Sequence, residues 1–315
     1  MEDIACILCG SNDGRPYAEE NGHQALRCDP CELVYVSPRP TIDEMKELYQ
    51  GQETQIDLHG HLRQRDHKCV QAQRCLRVLK QHCPEGRLLE VGSAAGYLLW
   101  ETQKAGYDVQ GLDITRQFVQ FSNEVLGVPA HEGPLQTAPF EDDSFDIVYM
   151  RNVLSHLAHP LEEHATIRRL LKPGGWLVFE TGNVAELPAK LAGELELPDH
   201  LFHFSEASIR ALLKHSGFDC VAVHRHGLVS HLPVVRGIAS LFSGRGATQR
   251  KAPVDPEMTL PSSRWPARVA SHLSQFVRYD LGRIAPRDGA RCTFVVVARS
   301  TDDGPASPMA PDTAN

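Results

Sequence analysis

No stretch of this 315-residue chain approaches the ~20 apolar residues needed to cross a bilayer. The opening residues, Met1-Glu2-Asp3-Ile4, are acidic and lack the basic-then-apolar pattern of a secretory signal. Positive charge is also short where a nucleic-acid surface would need it. Residues 1–85 carry 10 Lys/Arg against 14 Asp/Glu, and residues 86–182 carry 7 against 13. That acidity argues against phosphate backbones as the partner. The composition, 42% hydrophobic and 23% charged, excludes a disordered chain. These absences point to a globular protein of the cytoplasm, with no membrane partner.

Cysteine, by contrast, is abundant. Four of the nine stand as two pairs, Cys6-Ile7-Leu8-Cys9 and Cys28-Asp29-Pro30-Cys31, with eighteen residues between them. Without a secretory signal, disulfides are the weaker reading. Two turns offering two thiolates each can build a tetrahedral four-cysteine site for Zn2+. A module of ~35 residues has too little core to fold alone, and metal binding would supply the missing stability. Unligated thiols in a decayed ribbon remain an alternative. A redox dithiol is disfavoured because neither pair opens the helix of a βαβ unit. Four protein ligands close the coordination sphere, so the expected zinc is structural, not catalytic.

Along the chain the expected organisation is a zinc ribbon at 1–40, a helical connector at 41–85, a main domain at 86–300 and a disordered tail at 301–315. The ribbon contains one strand-like run, Leu33-Val34-Tyr35-Val36. Thr41 opens a short helix, with Glu44 completing a capping box and Met45, Leu48 and Tyr49 on one face. A second helix is expected near 61–83, with Cys69, Ala72, Cys75, Leu76 and Leu79 at helical spacing. Strands are expected at 87–92, 109–114, 145–151, 176–181 and 220–225, and helices at 95–105, 116–126, 160–171 and 205–216. Such alternation argues an α/β fold with a doubly wound, mostly parallel sheet. A last strand-like run, Cys292 to Ala298, closes the fold.

The chemistry begins where the first of these strands ends, in Leu88-Leu89-Glu90-Val91-Gly92-Ser93-Ala94-Ala95-Gly96-Tyr97. A glycine turn between a parallel strand and a helix lets a ligand approach the backbone closely. The dinucleotide fingerprint fails here, because Ala94 and Tyr97 occupy its second and third glycine positions. Instead Glu90 precedes the turn, and Asp113 ends the next strand 21 residues after Gly92. An acid at that place can accept hydrogen bonds from two ribose hydroxyls. Glu90 suits a ligand carrying a positive group better than a pyrophosphate. Taken singly, Gly92 and Gly96 could make a tight turn and Asp113 could cap a helix. The ordered set is what points to a cofactor.

"LLEVGSAAGYLL", "VQGLDIT", "APFEDDSFDIVYMRNVLSHLAHP" and "LLKPGGWLVFETGN" together resemble the motifs of the class I S-adenosyl-L-methionine-dependent methyltransferases, over roughly 86–182. The resemblance implies a Rossmann-like methyltransferase fold and that cofactor. It places Glu90, Gly92, Ala94 and Gly96 at the methionine end, Asp113 and Ile114 at the ribose and Leu135 near the adenine. The backbone of Arg151 and Asn152 would close the site. Ala94 stands where relatives carry a glycine, which is tolerable if its φ stays negative. Pro134 stands where many carry an adenine-binding Asp. With the four-cysteine module in front, the chain resembles bacterial small-molecule and deoxysugar methyltransferases.

Three histidines are candidates for the base that takes the acceptor's proton: His156 after the 145–151 strand, and His200 and His203 in "PDHLFHFS". Each could equally be a packed or backbone-bonded imidazole. Residues 184–204 and 227–290 are expected to line the acceptor side, since ligands of doubly wound sheets bind beyond the carboxyl ends of the strands. Residues 236–299 carry eleven Arg/Lys against four acids, which suggests a small or carrier-borne acceptor with phosphate or carboxylate. Methyl transfer to a sugar or natural-product type metabolite is the expected activity. An RNA methyltransferase and a non-catalytic protein-binding scaffold are the competing readings.

Overall fold

The computed structural model describes residues 1–45, 58–186, 195–226, 269, 272–273 and 293–301. In chain order the elements are β1 (Arg15–Glu20), β2 (His23–Arg27), β3 (Val34–Val36), α1 (Leu58–Arg63), α2 (Arg65–His82), β4 (Arg87–Val91), α3 (Tyr97–Lys104), β5 (Asp108–Asp113) and α4 (Arg116–Phe121). They continue with β6 (Ala130–Glu132), β7 (Phe145–Arg151), α5 (Pro160–Leu170), β8 (Leu171–Gly182), β9 (Phe202–His203), α6 (Glu206–His215), β10 (Phe218–His226) and β11 (Thr293–Ser300). Two compact units result. One comprises Met1–Glu53, Pro139–Arg225 and Cys292–Asn315; the other comprises Thr54–Ala138 and His226–Arg291.

The second unit holds β4, β5 and β6 in that order, all parallel. Leu88 and Leu89 of β4 and Val109 and Leu112 of β5 are buried. The helix expected near 61–83 is two helices, α1 and α2. The buried stripe of α2 is Cys69, Val70, Ala72, Cys75 and Leu79, with Leu76 only half-buried. The helix expected at 116–126 is α-helical only through Phe121. A π turn, Ser122–Leu126, finishes it at Gly127, and the Val128 N–H reaches back to the Ser122 carbonyl at 3.0 Å.

The first unit carries four more strands in the order β10-β11-β8-β7. β7 and β8 are parallel, and β11 is antiparallel to β8. The run Ile147 to Met150 is continuously buried, the pattern of a strand covered on both faces. β8 starts five residues before its expected position, because Leu171 pairs with Phe145 and Trp176 with Ile147. The Lys172–Gly175 segment is therefore an excursion between two paired stretches. These seven strands are the mostly parallel complement of a Rossmann-like fold.

A second sheet of this unit has the order β1-β2-β3-β9. Asn21 and Gly22, at φ +53° and +77°, join β1 to β2 in a two-residue hairpin turn. β3 then pairs antiparallel with β2 and with β9, setting Val34 against His203 and Tyr35 against Phe202. Ala25, Val34, Val36, Ala185, Leu195 and Leu197 form one buried cluster. The N-terminal module is thus built into the segment that follows β8.

The capping box at Thr41 is present: the Thr41 N–H donates to Glu44 Oε2 at 2.8 Å, and the Glu44 N–H to Thr41 Oγ1 at 3.4 Å. Leu48 and Tyr49, residues 187–194, nearly all of 227–290, Cys292 and the tail beyond Thr301 lie outside the described residues. No helix among the described residues is long and apolar enough to cross a membrane.

Candidate functional site

The turn after β4 is organised by one carboxylate. Asp113, the last residue of β5, accepts the Ala94 N–H on Oδ2 at 2.7 Å and the Thr115 N–H on Oδ1 at 2.8 Å. Gly92 and Ser93 donate their N–H groups to the Leu112 carbonyl at 2.8 and 3.1 Å, which seats the turn against β5. Burial pushes the Asp113 carboxyl above its ordinary range, against the pull of its N–H donors. Each carboxylate oxygen keeps acceptor capacity beyond these single bonds, so the group can still receive two hydroxyls.

Ala94 corrects the expectation of a negative φ: it sits at +46°. The left-handed conformation is uncommon for alanine and costs of order 1 kcal/mol. The bond from its N–H to Asp113 offsets part of that cost. Gly92 and Gly96 are left-handed too, at +71° and +73°. Gly96 caps α3, and a Cβ there would stand 2.3 Å from Ser122 Oγ and 3.2 Å from Val128 Cγ2. Gly96→Ala should therefore lower stability by about 1–3 kcal/mol in thermal unfolding. An unchanged melting temperature would overturn this account of the turn.

The remaining cofactor candidates are placed unevenly. Glu90 is buried, two residues before Gly92. Ile114 is 63% exposed beside the Asp113 carboxylate, an apolar face open to a ligand. Leu135 is buried in a short 3-10 turn. Arg151 ends β7, and Asn152 follows at φ +53° with its N–H already donated to the Glu180 carbonyl at 2.9 Å. Of the backbone groups expected to close the site, that N–H is engaged.

The four paired cysteines do converge. One sulfur from each of Cys6, Cys9, Cys28 and Cys31 lies within 4.8 Å of the others, with Cys9 and Cys28 at 3.6 Å. The two turns repeat one design. The Cys6 N–H donates to the Ser11 carbonyl and the Cys28 N–H to the Leu33 carbonyl, both at 2.9 Å. Gly10 and Glu32, each following the second cysteine of a pair, are both left-handed at +73° and +55°. Zinc–sulfur bonds of ~2.3 Å in a tetrahedron put sulfurs about 3.8 Å apart, close to what is found. Burial pushes the Cys6 thiol up to about 12, so a cation must displace its proton to bind. Tyr35 is fully buried nearby, and its hydroxyl has no hydrogen-bond partner among the described residues. The donor set and this unused hydroxyl, which can donate to a thiolate, both fit a four-thiolate zinc.

The three candidate histidines also come together. The His156 and His200 rings lie 4.2 Å apart centre to centre, and His200 and His203 lie 5.9 Å apart. His156 Nδ1 is 2.8 Å from the Asp199 carbonyl oxygen. His200 Nδ1 is 2.7 Å from Ser155 Oγ, and its Nε2 is 3.0 Å from Glu196 Oε2. His203 is a buried β9 residue whose burial, with the charge of His200 and His156, holds its imidazole down to about 3. It therefore stays neutral, and its Nε2 is buried with no hydrogen-bond partner among the described residues. Ser155, Glu196 and Asp199 were not anticipated. The adjacent pairs Ser155-His156 and Asp199-His200 were the available signal.

Residues 61–223, just over half of the chain, match the family described as Methyltransferase domain. The chain belongs to this family, the S-adenosylmethionine-dependent methyltransferases of Rossmann-like fold. It is 29% identical over 143 residues to a tRNA U34 carboxymethyltransferase of Azotobacter vinelandii, covering 42% of this chain and 45% of that one. It is 28% identical over 165 residues to phthiotriol/phenolphthiotriol dimycocerosates methyltransferase 1 of Mycobacterium ulcerans, covering 50% and 52%. With a ubiquinone biosynthesis O-methyltransferase of Paraburkholderia phymatum it shares 31% over 115 residues, covering 32% and 47%. The chain spans about half the length of these curated relatives.

Proposed function

We propose that this protein transfers the methyl group of S-adenosylmethionine to a small or carrier-borne metabolite, of sugar or natural-product type, in the cytoplasm. The observation that carries the reading is the Asp113 carboxylate, which clasps the glycine turn through Ala94 and retains acceptor capacity for two hydroxyls. In this reading Asp113 and Ile114 hold the ribose, Leu135 lies near the adenine, and Glu90 with the Gly92–Gly96 turn holds the methionine end. The cofactor supplies an electrophilic methyl on a sulfonium. The protein's own contribution is proximity and orientation, with the acceptor's proton leaving at the His156–His200 cluster. A structural zinc on Cys6, Cys9, Cys28 and Cys31 completes the proposal. The basic stretch within 236–299 supports an acceptor bearing phosphate or carboxylate.

Asp113→Ala should weaken S-adenosylhomocysteine binding by about 1.5–3 kcal/mol in calorimetry, the range for hydrogen bonds to a charged group. NADH should not bind the wild type. NADH affinity comparable to that for S-adenosylhomocysteine would overturn the cofactor assignment.

The similarity to tRNA U34 carboxymethyltransferases favours a second reading, methyl-group chemistry on RNA. The acidity of residues 1–182 counts against it. Binding of tRNA at low salt with a steep salt dependence would favour RNA; no binding would leave the small-molecule reading.

A further inference from the structure

We propose that His156, His200 and Asp199 bind a divalent first-row metal ion, zinc by preference, at a site separate from the four cysteines. One imidazole nitrogen from each histidine and one Asp199 carboxylate oxygen lie within 4.8 Å of one another. Two imidazoles and a carboxylate are a recurrent set for such ions, with positions left over for water or a substrate oxygen. Metal–ligand bonds of ~2.0–2.2 Å would bring these atoms to about 3.4 Å apart in a tetrahedral site. Side-chain adjustments of about an ångström would close the cluster.

Three further features fit a bound ion, which would lower the pKa of an acceptor hydroxyl so that its proton still leaves at this cluster. First, the His200 ring is oriented by a second partner, Ser155 Oγ at Nδ1, and His156 lies against Asp199, its Nδ1 2.8 Å from the carbonyl oxygen and 3.5 Å from the carboxylate. Such outer contacts fix the ring and its tautomer in metal sites. Second, the Glu196 carboxylate faces His200 Nε2 at 3.0 Å but stands outside the three-residue set, so a tetrahedral ion held by that set keeps an open position. Third, the carboxylates of Asp199 and Glu196 beside the two imidazoles supply negative charge that a dication needs. The His156 and His200 side chains are 27% and 21% exposed, so an ion can reach them. His203 lies outside the set, buried in β9. The backbone holds the cluster firmly, because the Leu201 N–H donates to the Ser155 carbonyl at 2.7 Å and links the two histidine-bearing segments.

The site rests on these side chains and not on the methyl-transfer reading. A bound ion would make the imidazoles ligands, and would draw an acceptor oxygen to an open coordination position.

Cobalt titration of the full-length protein tests it. Wild type should bind one equivalent of Co2+ whose visible spectrum lacks thiolate-to-metal charge transfer, beyond any cobalt taken by the cysteines. His156→Ala/His200→Ala should lose that equivalent. Asp199→Asn, at a half-exposed position, should weaken it at least ~10-fold while folding normally. If the double variant does not fold, Asp199→Asn carries the test. S-adenosylhomocysteine calorimetry on the same samples reads the cofactor site separately. Only thiolate-bound cobalt in wild type, or an Asp199→Asn variant with wild-type affinity, would overturn the proposal.

Discussion

Cys28→Ser/Cys31→Ser should disorder residues 195–204 together with the N-terminal module, while leaving S-adenosylhomocysteine affinity within about three-fold of wild type. The expectation follows from a chain of contacts within one unit. The second cysteine turn leads directly into β3, whose Val34 and Tyr35 pair with His203 and Phe202 of β9. The Val36 N–H donates to the Leu201 carbonyl at 3.0 Å. Arg27 donates to the Ala185 carbonyl at 2.6 Å, and Asn21 Nδ2 to the Leu197 carbonyl at 2.8 Å. Glu20 accepts the N–H groups of Leu195 and Glu196 at 2.7 and 3.0 Å. The module thus braces the strand and loop that carry Glu196, Asp199, His200 and His203.

Forty residues with a small core depend on the proposed zinc, and its loss would release the brace. Limited proteolysis reads the effect: cleavage at 195–204 should accelerate at least ~10-fold in step with cleavage before residue 45. The glycine turn and Asp113 belong to the other unit, so cofactor affinity is the internal control. Fast cleavage confined to residues 1–45 would make the module an appendage with no hold on the histidines.

The parts of the fold legible in the sequence are those written in local pattern. β7 is a nearly continuous apolar run, β4 and β5 are short segments that end at turn signals, and all three lie within a residue of their expected bounds. α5 was marked by Pro160 at its first position, with Glu162 and Glu163 in its first turn. The β1–β2 hairpin was missed although Asn21-Gly22 announces it, because its flanks, RPYAEE and HQALR, do not alternate cleanly. β9 is two residues long and exists only through its pairing with β3, a long-range fact that no local window contains.

The same division holds at the site. Asp113 was legible from its spacing to Gly92, and the four cysteines from theirs. Ala94 was misjudged because local propensity favours negative φ, whereas the hydrogen bond to Asp113 selects the left-handed turn. Glu196 and Ser155 were invisible, since they matter only through folding that brings 155 and 196 to the same imidazole.

His164 should make the protein acid-sensitive by about 2–3 kcal/mol. It is fully buried on α5, with its ring edge-on to Phe179 and Phe218 at 6.3 and 6.2 Å. Nδ1 is satisfied by the Pro160 carbonyl at 2.6 Å, but Nε2 is buried without a hydrogen-bond partner among the described residues. Burial holds the imidazole down to about 4, only partly opposed by the Pro160 carbonyl. The folded state therefore keeps His164 neutral, while the unfolded chain protonates near its ordinary value of about 6.5. Between these values the unfolded state binds more protons, so stability rises with pH across that window and is lost on acidification. From pH ~7.5 to ~4.5 this single group should remove about 2–3 kcal/mol; above pH ~7 it should contribute almost no slope. His164→Phe fills the same space beside Phe179 and Phe218 without a titratable nitrogen. Denaturant melts at several pH values should show a flatter acid limb for that variant than for wild type. Equal acid slopes in the two proteins would mean that other groups carry the pH dependence and that His164 is protonated, or hydrated, in the folded state.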